Sequence, residues 1–480
     1  MKYNPDGSVD KYKSRMVLRG DRQVAGKDYD INKIFAPVAN QTLARTMFSL
    51  AASLDLEMMM VDVRQAYLYA DLEEKHLVVQ PAPGITDILG IPADSWLKVK
   101  KSQYGLKQSG FNWFREFGGW IREQGFKRCS EDDCLFAREH EVNGKKHIIM
   151  ILQYVDDLLI FGDNREEVVK FKDQIQHKYA IDDKGDASFY LGVEIERDRQ
   201  NKTLSIHQEK YIRDMISGIE GTRKIREHDT PMAVGKRLLL NDGACVDQLF
   251  YQSCIGTLLY LSGWTRPDIS YAVSELSKHV INPGVEHHEA LMHLVGYVKR
   301  TIKMKITYAR TPRDGFNFGI DELGGYVDAS FAGCHETRKS KSGYVLFLNG
   351  GPVSWKAKDQ SIVALSSTDS EIDAAVRAIR EVKGIRAQLF GLNLEQRKPT
   401  ILYEDNAATI CISHSASLRE TTKHLGYRRG FLRDEVEKKE VVLMPIQTSL
   451  QTADIFTKAL SGVLNARHCA QLYAQHPDNV

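Results

Sequence analysis

The sequence lacks several features that would assign it to a specialised class of protein. Its 480 residues include no apolar run near the ~18 residues of a membrane-spanning helix, and no secretory signal peptide. Basic and acidic residues nearly balance, 65 against 63, so any nucleic-acid binding must come from local basic patches rather than from the overall charge. We therefore expect a protein that is neither membrane-bound nor secreted.

Cysteine is scarce and scattered. The odd number of seven cysteines indicates free thiols in a reducing compartment. Cys129 and Cys134 are the nearest pair, and no second Cys/His pair accompanies them, which argues against structural zinc. Because the chain is too long for one hydrophobic core, we expect two or three domains.

The rest of the chain is organised around residues 148–161, where two apolar runs flank Tyr154-Val155-Asp156-Asp157. The runs predict two strands, and the acidic pair predicts a tight hairpin between them. Adjacent carboxylates repel each other, and half-burying them is costly unless a cation compensates. Mg²⁺, which binds carboxylate and phosphate oxygens together, would do so. The alternative is an ordinary polar turn.

A third acid, Asp62, comes near the end of an apolar strand that begins at about Met58. A lone Asp after a strand is usually a helix N-cap. Asp62 taken together with Asp156 and Asp157 instead suits a site that holds two metal ions and clamps the attacking and leaving oxygens.

Four further residues are candidates for nucleotide or template contact. Lys13 and Arg15 lie on a predicted half-exposed strand within residues 11–20, placed to hold triphosphate oxygens; a solvated edge strand is the alternative. Tyr67 would lie beneath the sugar of an incoming nucleotide, or is an ordinary core aromatic. Gln108 ends a basic, glycine-containing stretch that leads into a helix predicted over 109–124. That stretch suits template contact, or is a solvated loop.

From residue 324 onward the pattern predicts strands, a hairpin within residues 341–351 and a helix over about 368–389. Four acids stand at predicted strand ends or helix starts, as a second two-metal phosphodiesterase site would require. They are Asp328, Glu371, Asp405 and Asp454.

Each of these four acids also has a purely structural interpretation. Glu371 fits a capping box with Thr368. Asp454 suits the first turn of a helix, where a negative charge is favourable. Asp328 and Asp405 could be turn residues.

Motifs in a fixed order resemble the reverse transcriptase of copia-type LTR retrotransposons, and the resemblance covers nearly the whole chain. The resemblance implies an α+β right-hand polymerase with fingers, palm and thumb, followed by a ribonuclease H-like α/β domain. It implies fingers and palm over 1–227, a linker with thumb and connection helices over 228–320, and the ribonuclease H-like domain over 321–480. The motifs occupy residues 13–20, 61–63, 104–108, 154–157, 189–195, 204–212, 251–261 and 265–270.

The resemblance also implies an activity. The chain would copy retrotransposon RNA into DNA, and its second site would cut the RNA strand of RNA–DNA hybrids. Asp62, Asp156 and Asp157 would hold two Mg²⁺ ions, or Mn²⁺, and the four later acids would hold two more. Tyr67 would clash with a ribose 2′-hydroxyl and so select deoxynucleotides.

Partners and location follow from the same resemblance. The expected partners are an RNA template, a DNA primer, the RNA–DNA hybrid and deoxynucleoside triphosphates. Protease, zinc-knuckle and integrase motifs are not visible. If the element is intact, we expect capsid, protease and integrase segments elsewhere in a polyprotein; the alternative is that those activities have been lost. The expected location is a cytoplasmic virus-like particle, or the nucleus.

The ribonuclease H-like region contains further charged candidates. Asp369 and Glu404 are rival acids, and the family pattern selects Glu371 and Asp405 instead. Basic residues that flank the hairpin are candidates for following the phosphates of a hybrid, or are ordinary solvated side chains. They are Arg338, Lys339, Lys341, Lys356 and Lys358.

Three departures from the family pattern bear on activity. The chain begins at a point where the family would already be inside its fingers. Gly110 lies where relatives have the Pro of an Ala-Pro pair, and a glycine loosens a helix start. Gly426 and Gly430 replace an Asp and a His, which leaves His424 as a candidate for assisting product release. The alternative function is therefore a catalytically inactive copy that only binds nucleic acid.

Overall fold

A computed structural model of the chain describes residues 2–3, 9–11, 16–129, 132–311, 316–334, 336–414 and 423–473. No helix within these ranges is long and apolar enough to cross a membrane. The strands are β1 Lys2–Tyr3, β2 Val9–Lys11, β3 Glu57–Val63, β4 Val78–Val79, β5 Leu97–Lys98, β6 Lys127–Cys129, β7 Asp132–Val142, β8 Lys145–Tyr154, β9 Asp157–Gly162, β10 Ile181–Asp186, β11 Phe189–Tyr190, β12 Val193–Asp198, β13 Thr203–His207, β14 Ile306–Ala309, β15 Gly324–Ser330, β16 Lys341–Leu348, β17 Gly351–Asp359, β18 Thr400–Glu404 and β19 Val441–Pro445. The α-helices are α1 Gln41–Ser53, α2 Ile85–Leu89, α3 Ser109–Glu123, α4 Arg165–Lys178, α5 Glu209–Glu220, α6 Gln248–Trp264, α7 Ser270–Leu276, α8 Val285–Arg300, α9 Ser367–Gly391, α10 Ala407–His414, α11 Lys423–Glu437 and α12 Gly462–Tyr473.

The chain divides into two compact units. The first comprises Met1–Ala39 and Glu57–Asp186, and the second comprises Asn40–Leu56 and Ala187–Val480. Helix α1 belongs to the second unit, where it packs against β13, β14 and β17. The domain boundaries after residues 227 and 320 stay a prediction.

The first unit is built on a six-stranded antiparallel sheet in the order β10-β3-β9-β8-β7-β6. Residues 149–152 and 158–161 are buried without interruption, because both faces of β8 and β9 are covered. Strands β8 and β9 pair up to Tyr154 opposite Asp157, so the predicted acidic hairpin is present. Trp113, Phe117 and Phe171 fill the core beside it.

The prediction of a strand within residues 11–20 is wrong from Met16 onward, where the structure describes this segment. Residues 16–19 form no strand, and Gly20–Arg22 is a short 3₁₀ helix. The backbone N–H of Leu18 donates to the Tyr104 carbonyl at 2.9 Å, and a Cβ on Gly20 would lie only 1.8 Å from the Gly105 oxygen. This close approach holds the segment as a loop. Lys13 and Arg15 lie outside the described residues.

The second unit contains two larger sheets. One is antiparallel with the order β11-β12-β13-β14, and helices α5 to α8 share a core in the same unit. The other has the order β17-β16-β15-β18-β19, in which β18 is parallel to β15 and β19 is parallel to β18. Asn349 and Gly350, at φ 52° and 85°, form the turn between β16 and β17, as favoured for a tight hairpin. The predicted fold class, an α+β polymerase followed by a ribonuclease H-like α/β domain, is confirmed.

The Thr265-Arg266-Pro267-Asp268 motif forms a buried ionic cluster. Arg266 and Asp268 are both fully buried and are joined by two hydrogen bonds of 2.9 and 2.8 Å. Tyr297 and Tyr473 each donate a hydroxyl hydrogen bond to the Asp268 carboxylate. A buried ion pair is tolerated only when its remaining hydrogen-bonding capacity is satisfied, and the two tyrosines help to satisfy that of Asp268. Tyr473 thereby ties helix α12 to this motif.

Replacing Tyr473 by Phe should therefore destabilise the second unit. The substitution removes one hydrogen bond to a buried carboxylate, which we expect to cost about 2 kcal/mol in the free energy of unfolding. Urea denaturation followed by circular dichroism measures the change. Tyr427→Phe is the matched control, since Tyr427 is 86% exposed and should be neutral. Equal stability of the two variants would contradict this account of the cluster.

Candidate active sites

The acidic hairpin brings together the three acids predicted for the first site. Strands β3 and β9 pair with Asp62 directly opposite Asp157, and Asp156 precedes Asp157 at the hairpin tip. Cross-strand neighbours have Cβ atoms about 5 Å apart. The Val63 N–H donates to the Asp156 carbonyl at 2.9 Å, which fixes the tip against β3.

The backbone at the hairpin tip is held in an unusual conformation. Val155 has φ 55°, in the left-handed region that β-branched residues rarely adopt. The indole N–H of Trp113 donates to the Val155 carbonyl at 2.7 Å, and the Gln153 amide donates to the same oxygen at 3.3 Å. Strained residues persist where surrounding structure holds them, and they often mark functional sites. Sequence reasoning did not identify Trp113 or Gln153, since no local pattern shows which carbonyl they reach.

Replacing Trp113 by Phe should loosen this tip. The variant keeps an aromatic ring but removes the hydrogen bond to Val155, so we expect a loss of about 1 kcal/mol in the free energy of unfolding. Urea denaturation measures it. Trp120→Phe, in the same core, is the matched control because its indole makes no hydrogen bond to the residues that the structure describes. An equal loss in both variants would assign the effect to ring size instead.

The first site is electrostatically suited to a cation. Burial, followed by the charges of Asp156 and Asp62, raises the pKa of Asp157 to about 6, and Lys184 opposes this only in part. The site therefore concentrates negative charge that a bound cation would relieve.

Two predicted nucleotide contacts lie within the first unit. Tyr67 is half-buried in a 3₁₀ helix, Ala66–Tyr69, with its ring centroid 4.9 Å from that of Tyr104. Gln108 is 1% exposed, and its amide bonds Gln23, the Asp28 carbonyl and Glu74 at 3.0–3.2 Å. A nucleotide could reach the Gln108 amide only by replacing one of these partners. Both contacts stay predictions.

The second candidate site lies at the five-stranded sheet. Asp328 on β15, Glu371 on α9 and Asp405 directly after β18 each offer a carboxylate oxygen, and these oxygens lie within 4.8 Å of one another. Strands β15 and β18 are parallel neighbours, so their carboxyl ends meet at one edge of the sheet. In the part of the chain that the structure describes, this is the one group of three or more such side chains this close together.

Burial and mutual repulsion dominate the electrostatics of the second site. Burial, then the charges of Glu404, Asp328 and Asp405, raises the pKa of Glu371 to about 11. Burial also raises the pKa of Asp328. The Glu371 Oε2 atom is buried without a hydrogen-bond partner. Three clustered carboxylates with such an oxygen fit a hard divalent cation.

Asp454 lies beside this cluster. It belongs to a 3₁₀ helix, Thr452–Phe456, and its carboxylate pairs with Lys458 at 2.8 Å. Burial and then the Asp328 charge raise the pKa of Asp454 to about 7. Thr457, one residue past the helix, donates a hydrogen bond to Asp328 and so joins this segment to the cluster.

The structure decides between several alternatives left open by the sequence. The N-cap of α9 is Ser366, which accepts from the Asp369 N–H at 3.1 Å, so the capping box of Thr368 with Glu371 is wrong. The carboxylate of Asp369 pairs with Arg429 at 2.8 Å and lies outside the cluster.

Glu404 is the acid that sequence reasoning undervalued. It is fully buried and accepts from the Asn406 N–H at 2.9 Å, and its Oε2 has no hydrogen-bond partner. Burial raises its pKa to about 8. Its charge is the largest electrostatic influence on Glu371, so it belongs to the surroundings of the second site. The sequence signal that could have identified Glu404 is its place at the end of strand β18, which enters the core.

One predicted phosphate contact is wrong. Lys341 is 4% exposed, and its ammonium group pairs with Glu275 at 2.9 Å and with Asp359 at 2.7 Å. Its charge is satisfied inside the protein, because β16 begins against helix α7 rather than in solvent.

The glycine departures have limited structural consequences. Helix α3 begins at Ser109 and runs through Gly110 to Glu123. Gly426 and Gly430 lie in α11, and a Cβ at either position would meet nothing within 4 Å. The side chain of His424 lies outside the described residues.

The comparison with known families identifies the first part of the chain. Residues 1–233 match the family described as reverse transcriptase (RNA-dependent DNA polymerase). This segment belongs to the reverse transcriptase family. The acidic hairpin and Asp62 therefore lie within a reverse transcriptase domain.

Relatives extend the match over almost the whole chain. The retrovirus-related Pol polyprotein from transposon TNT 1-94 of Nicotiana tabacum is 33% identical over 96% of this chain and 34% of the relative. The Pol polyprotein from transposon RE1 of Arabidopsis thaliana is 31% identical over 96% and 30%. The transposon Ty1-LR3 Gag-Pol polyprotein of Saccharomyces cerevisiae is 28% identical over 94% and 25%. The chain thus spans about a third or less of the length of these relatives, and the expected relation to retrotransposon polyproteins is confirmed.

Solved structures also show similarity. The foamy viral protease-reverse transcriptase in complex with dsDNA aligns with a TM-score of 0.42 and 11% identity, over 93% of this chain and 76% of that one. Ribonuclease H1 of Halobacterium salinarum aligns with a TM-score of 0.23 and 15% identity, over 28% and 94%.

Proposed function

We propose that this chain is an RNA-directed DNA polymerase with a second, ribonuclease H active site. It copies retrotransposon RNA into DNA, and it cleaves the RNA strand of the resulting RNA–DNA hybrid. Its substrates are an RNA template with a DNA primer, deoxynucleoside triphosphates and the hybrid. Other segments of a polyprotein, including capsid, protease and integrase, are its expected partners, in a cytoplasmic virus-like particle or the nucleus.

The observation that carries the proposal is the convergence of carboxylates inside a reverse transcriptase domain. Asp62, Asp156 and Asp157 come from two paired strands, and the Val155 backbone is fixed by Trp113. This arrangement presents three rigidly held anionic groups on one sheet edge. Rigid positioning is what a transfer reaction between two bound substrates needs.

In this proposal each site binds a pair of Mg²⁺ ions, and the close carboxylates of the second site support this. Asp62, Asp156 and Asp157 would hold them in the first site, and Asp328, Glu371, Asp405 and Asp454 in the second. When bound, Mg²⁺ supplies activation of an oxygen nucleophile and neutralises charge on the phosphate being displaced. The protein's own contribution is to hold the carboxylates oriented: Lys458 pairs with Asp454, and Thr457 donates a hydrogen bond to Asp328.

Residues beside the first site would select the substrate. In this proposal Tyr67 lies beneath the sugar of the incoming nucleotide and excludes a 2′-hydroxyl. Lys13 and Arg15 hold the triphosphate, and Gln108 contacts the template side. Support comes from the positions of Lys13, Arg15 and Gln108 in the family's motifs, and from the packing of Tyr67 on Tyr104.

Primer extension on an RNA template tests the proposal. The purified chain is given a labelled DNA primer, deoxynucleotides and Mg²⁺, and the RNA carries a second label. We expect the primer to lengthen and the copied RNA to fragment. A folded chain that binds the hybrid yet does neither would instead favour the inactive copy.

A further inference from the structure

The second unit carries a group of large apolar side chains that face solvent. Leu240, Leu249, Ile281 and Val285 are between 62% and 80% exposed, and we call these four residues the apolar patch. Leu240 lies before helix α6, Leu249 in the first turn of α6, Ile281 before helix α8, and Val285 at the start of α8. Single exposed apolar residues are ordinary on a protein surface, whereas a contiguous group of them marks an interaction site.

Hydrogen bonds show that the patch is contiguous around Ile281. The side-chain amide of Gln248 donates to the Ile281 carbonyl at 2.8 Å, which brings the adjoining Leu249 close to Ile281. The side-chain amide of Asn282 donates to the Asn241 carbonyl at 3.0 Å. The segment that leads into α6 therefore runs beside the segment that leads into α8.

The start of α8 completes the patch. A Cβ on Gly284 would lie only 2.5 Å from the Asn241 Oδ1 atom, so the backbone at Gly284 is in close contact with Asn241. Leu240 and Val285 are the residues that adjoin this contact. All four apolar side chains thus belong to one surface.

Hydrogen bonds also hold the patch in place. The Nδ1 atom of His287 accepts from the Gly284 N–H at 2.9 Å, and its Nε2–H donates to the Leu239 carbonyl at 2.8 Å. His287 thereby ties the chain just before Leu240 to the start of α8. A surface that is ordered before a partner arrives loses less conformational entropy on binding.

The segments that supply the patch are acidic. Residues 238–249 and 281–289 contain two acids each and no lysine or arginine, although basic and acidic residues nearly balance over the whole chain. All four acids are exposed. We call them the acidic rim, and they are Asp242, Asp247, Glu286 and Glu289.

Neighbouring cations do not neutralise the acidic rim. Asp247 and Glu289 have long ion pairs, of 3.6 and 3.5 Å, with basic residues from outside these segments. Asp242 and Glu286 make no ion pair with any residue that the structure describes. Such a rim repels nucleic-acid phosphates and anionic lipid headgroups, and it attracts lysine and arginine side chains.

We propose that the apolar patch is a docking surface for a basic amphipathic helix of a protein partner. The apolar face of that helix covers the patch, and its flanking lysine and arginine side chains pair with the acidic rim. The surface includes no residue of either candidate active site, so the proposal is independent of both proposed activities.

Binding of a synthetic helix tests the proposal without turnover or nucleic acid. The probe is a fluorescein-labelled peptide of leucine and lysine, with leucine at positions i, i+3, i+4 and i+7, and its anisotropy is followed as the full chain is added. One comparison peptide has the same composition in an order that spreads leucine around the helix, and another has glutamate in place of lysine. We expect the probe to bind roughly tenfold more tightly than either, and more weakly as salt is added.

Substitutions in the patch should weaken this binding. Leu249→Gln, Ile281→Gln, Val285→Thr removes apolar contact area, and we expect the combined variant to bind the probe roughly tenfold more weakly. Ile281→Gln alone should show a smaller loss in the same direction. Thermal unfolding confirms that each variant is folded, and the single variant provides the test if the combined one is not.

A matched variant separates the patch from apolar exposure elsewhere on the chain. It makes the same kinds of change at positions that are 73–80% exposed. We expect it to bind the probe like the unaltered chain. Its substitutions are Ile88→Gln, Leu365→Gln and Val463→Thr.

Substitutions in the acidic rim test the charge complementarity. Asp242→Asn, Glu286→Gln, Glu289→Gln keeps the shape of each side chain and removes its charge. We expect this variant to bind the probe roughly tenfold more weakly at low salt, and to lose most of the salt dependence.

Four results would overturn the proposal. The first two are unchanged binding by the patch variants and an equal loss in the matched variant. The third is equal binding of the peptide with scattered leucine, which would leave only general charge attraction. The fourth is self-association of the chain in sedimentation equilibrium that the patch variants abolish, which would assign the patch to a second copy of this chain.

Discussion

Primer extension on an RNA template should fall by roughly 10³-fold or more in the Asp156→Asn variant, equivalent to about 4 kcal/mol of transition-state stabilisation. Asp156 lies at the hairpin tip with Asp157 and Asp62, where three carboxylates share one sheet edge. An amide keeps the shape of the side chain but removes its charge. In the proposed function the site then loses one of its three ligands for Mg²⁺.

Extension rates are measured in single turnover at saturating Mg²⁺ and deoxynucleotide. Asp173→Asn on helix α4 is the matched control, because Asp173 is exposed in the same unit and the same atom is changed. We expect this control to extend primers like the unaltered chain. Extension by Asp156→Asn at more than a tenth of the normal rate would show that the acidic hairpin does not carry the polymerisation chemistry.

The second prediction concerns Glu371→Gln, which should show two opposite effects. Cleavage of the RNA strand in a preformed hybrid should fall by roughly 10³-fold, since the cluster with Asp328 and Asp405 loses one of the carboxylates proposed to bind Mg²⁺. In EDTA the same variant should be more stable to unfolding, by about 2 kcal/mol near neutral pH. The reason is that Glu371, buried without a partner at Oε2, must take up a proton on folding, which costs free energy near neutral pH, whereas Gln carries no charge.

The pH dependence of that stability has a definite sign. The folded-state pKa of Glu371 is raised to about 11 from an ordinary 4.5, mainly by burial. The folded protein therefore binds this proton more tightly than the unfolded chain does, and metal-free stability falls as pH rises above about 4.5. The advantage of the Gln variant should grow from pH 5 to pH 8 in thermal unfolding. Glu395→Gln, at an exposed carboxylate, is the control and should show no such trend.

Local sequence pattern was sufficient where a strong local signal exists. Apolar runs around Asp156 and Asp157 predicted the hairpin, and Asn349-Gly350 lies at the turn predicted within 341–351. A helix was predicted over 109–124, and helix α3 runs over Ser109–Glu123. In each case the residues that decide the structure are neighbours in the chain.

Predictions from the sequence failed where residues distant in the chain determine the local structure. The chain at Gly20 is held by contact with Gly105, which no pattern within residues 11–20 reveals. Lys341 was a candidate for phosphate contact because its own segment does not show that it is buried. Its partners Glu275 and Asp359 are brought to it only by folding. The strain at Val155 depends on Trp113, more than forty positions earlier.

The same limit applies to the candidate sites. The sequence selected Asp328, Glu371 and Asp405 through a family resemblance, and the fold places their oxygens within 4.8 Å of one another. The burial of Glu404 beside Glu371 depends on the tertiary fold and could not be read from its own segment.

One measurement tests the central claim most directly, that two separate acidic sites carry two activities. A single reaction contains a labelled DNA primer on a differently labelled RNA template, and it is run with the unaltered chain, with Asp156→Asn and with Glu371→Gln. The preformed hybrid is included so that cleavage does not depend on extension. We expect Asp156→Asn to lose extension and keep cleavage, and Glu371→Gln to lose cleavage and keep extension. Loss of both activities in either variant, or of neither in both, would contradict the account.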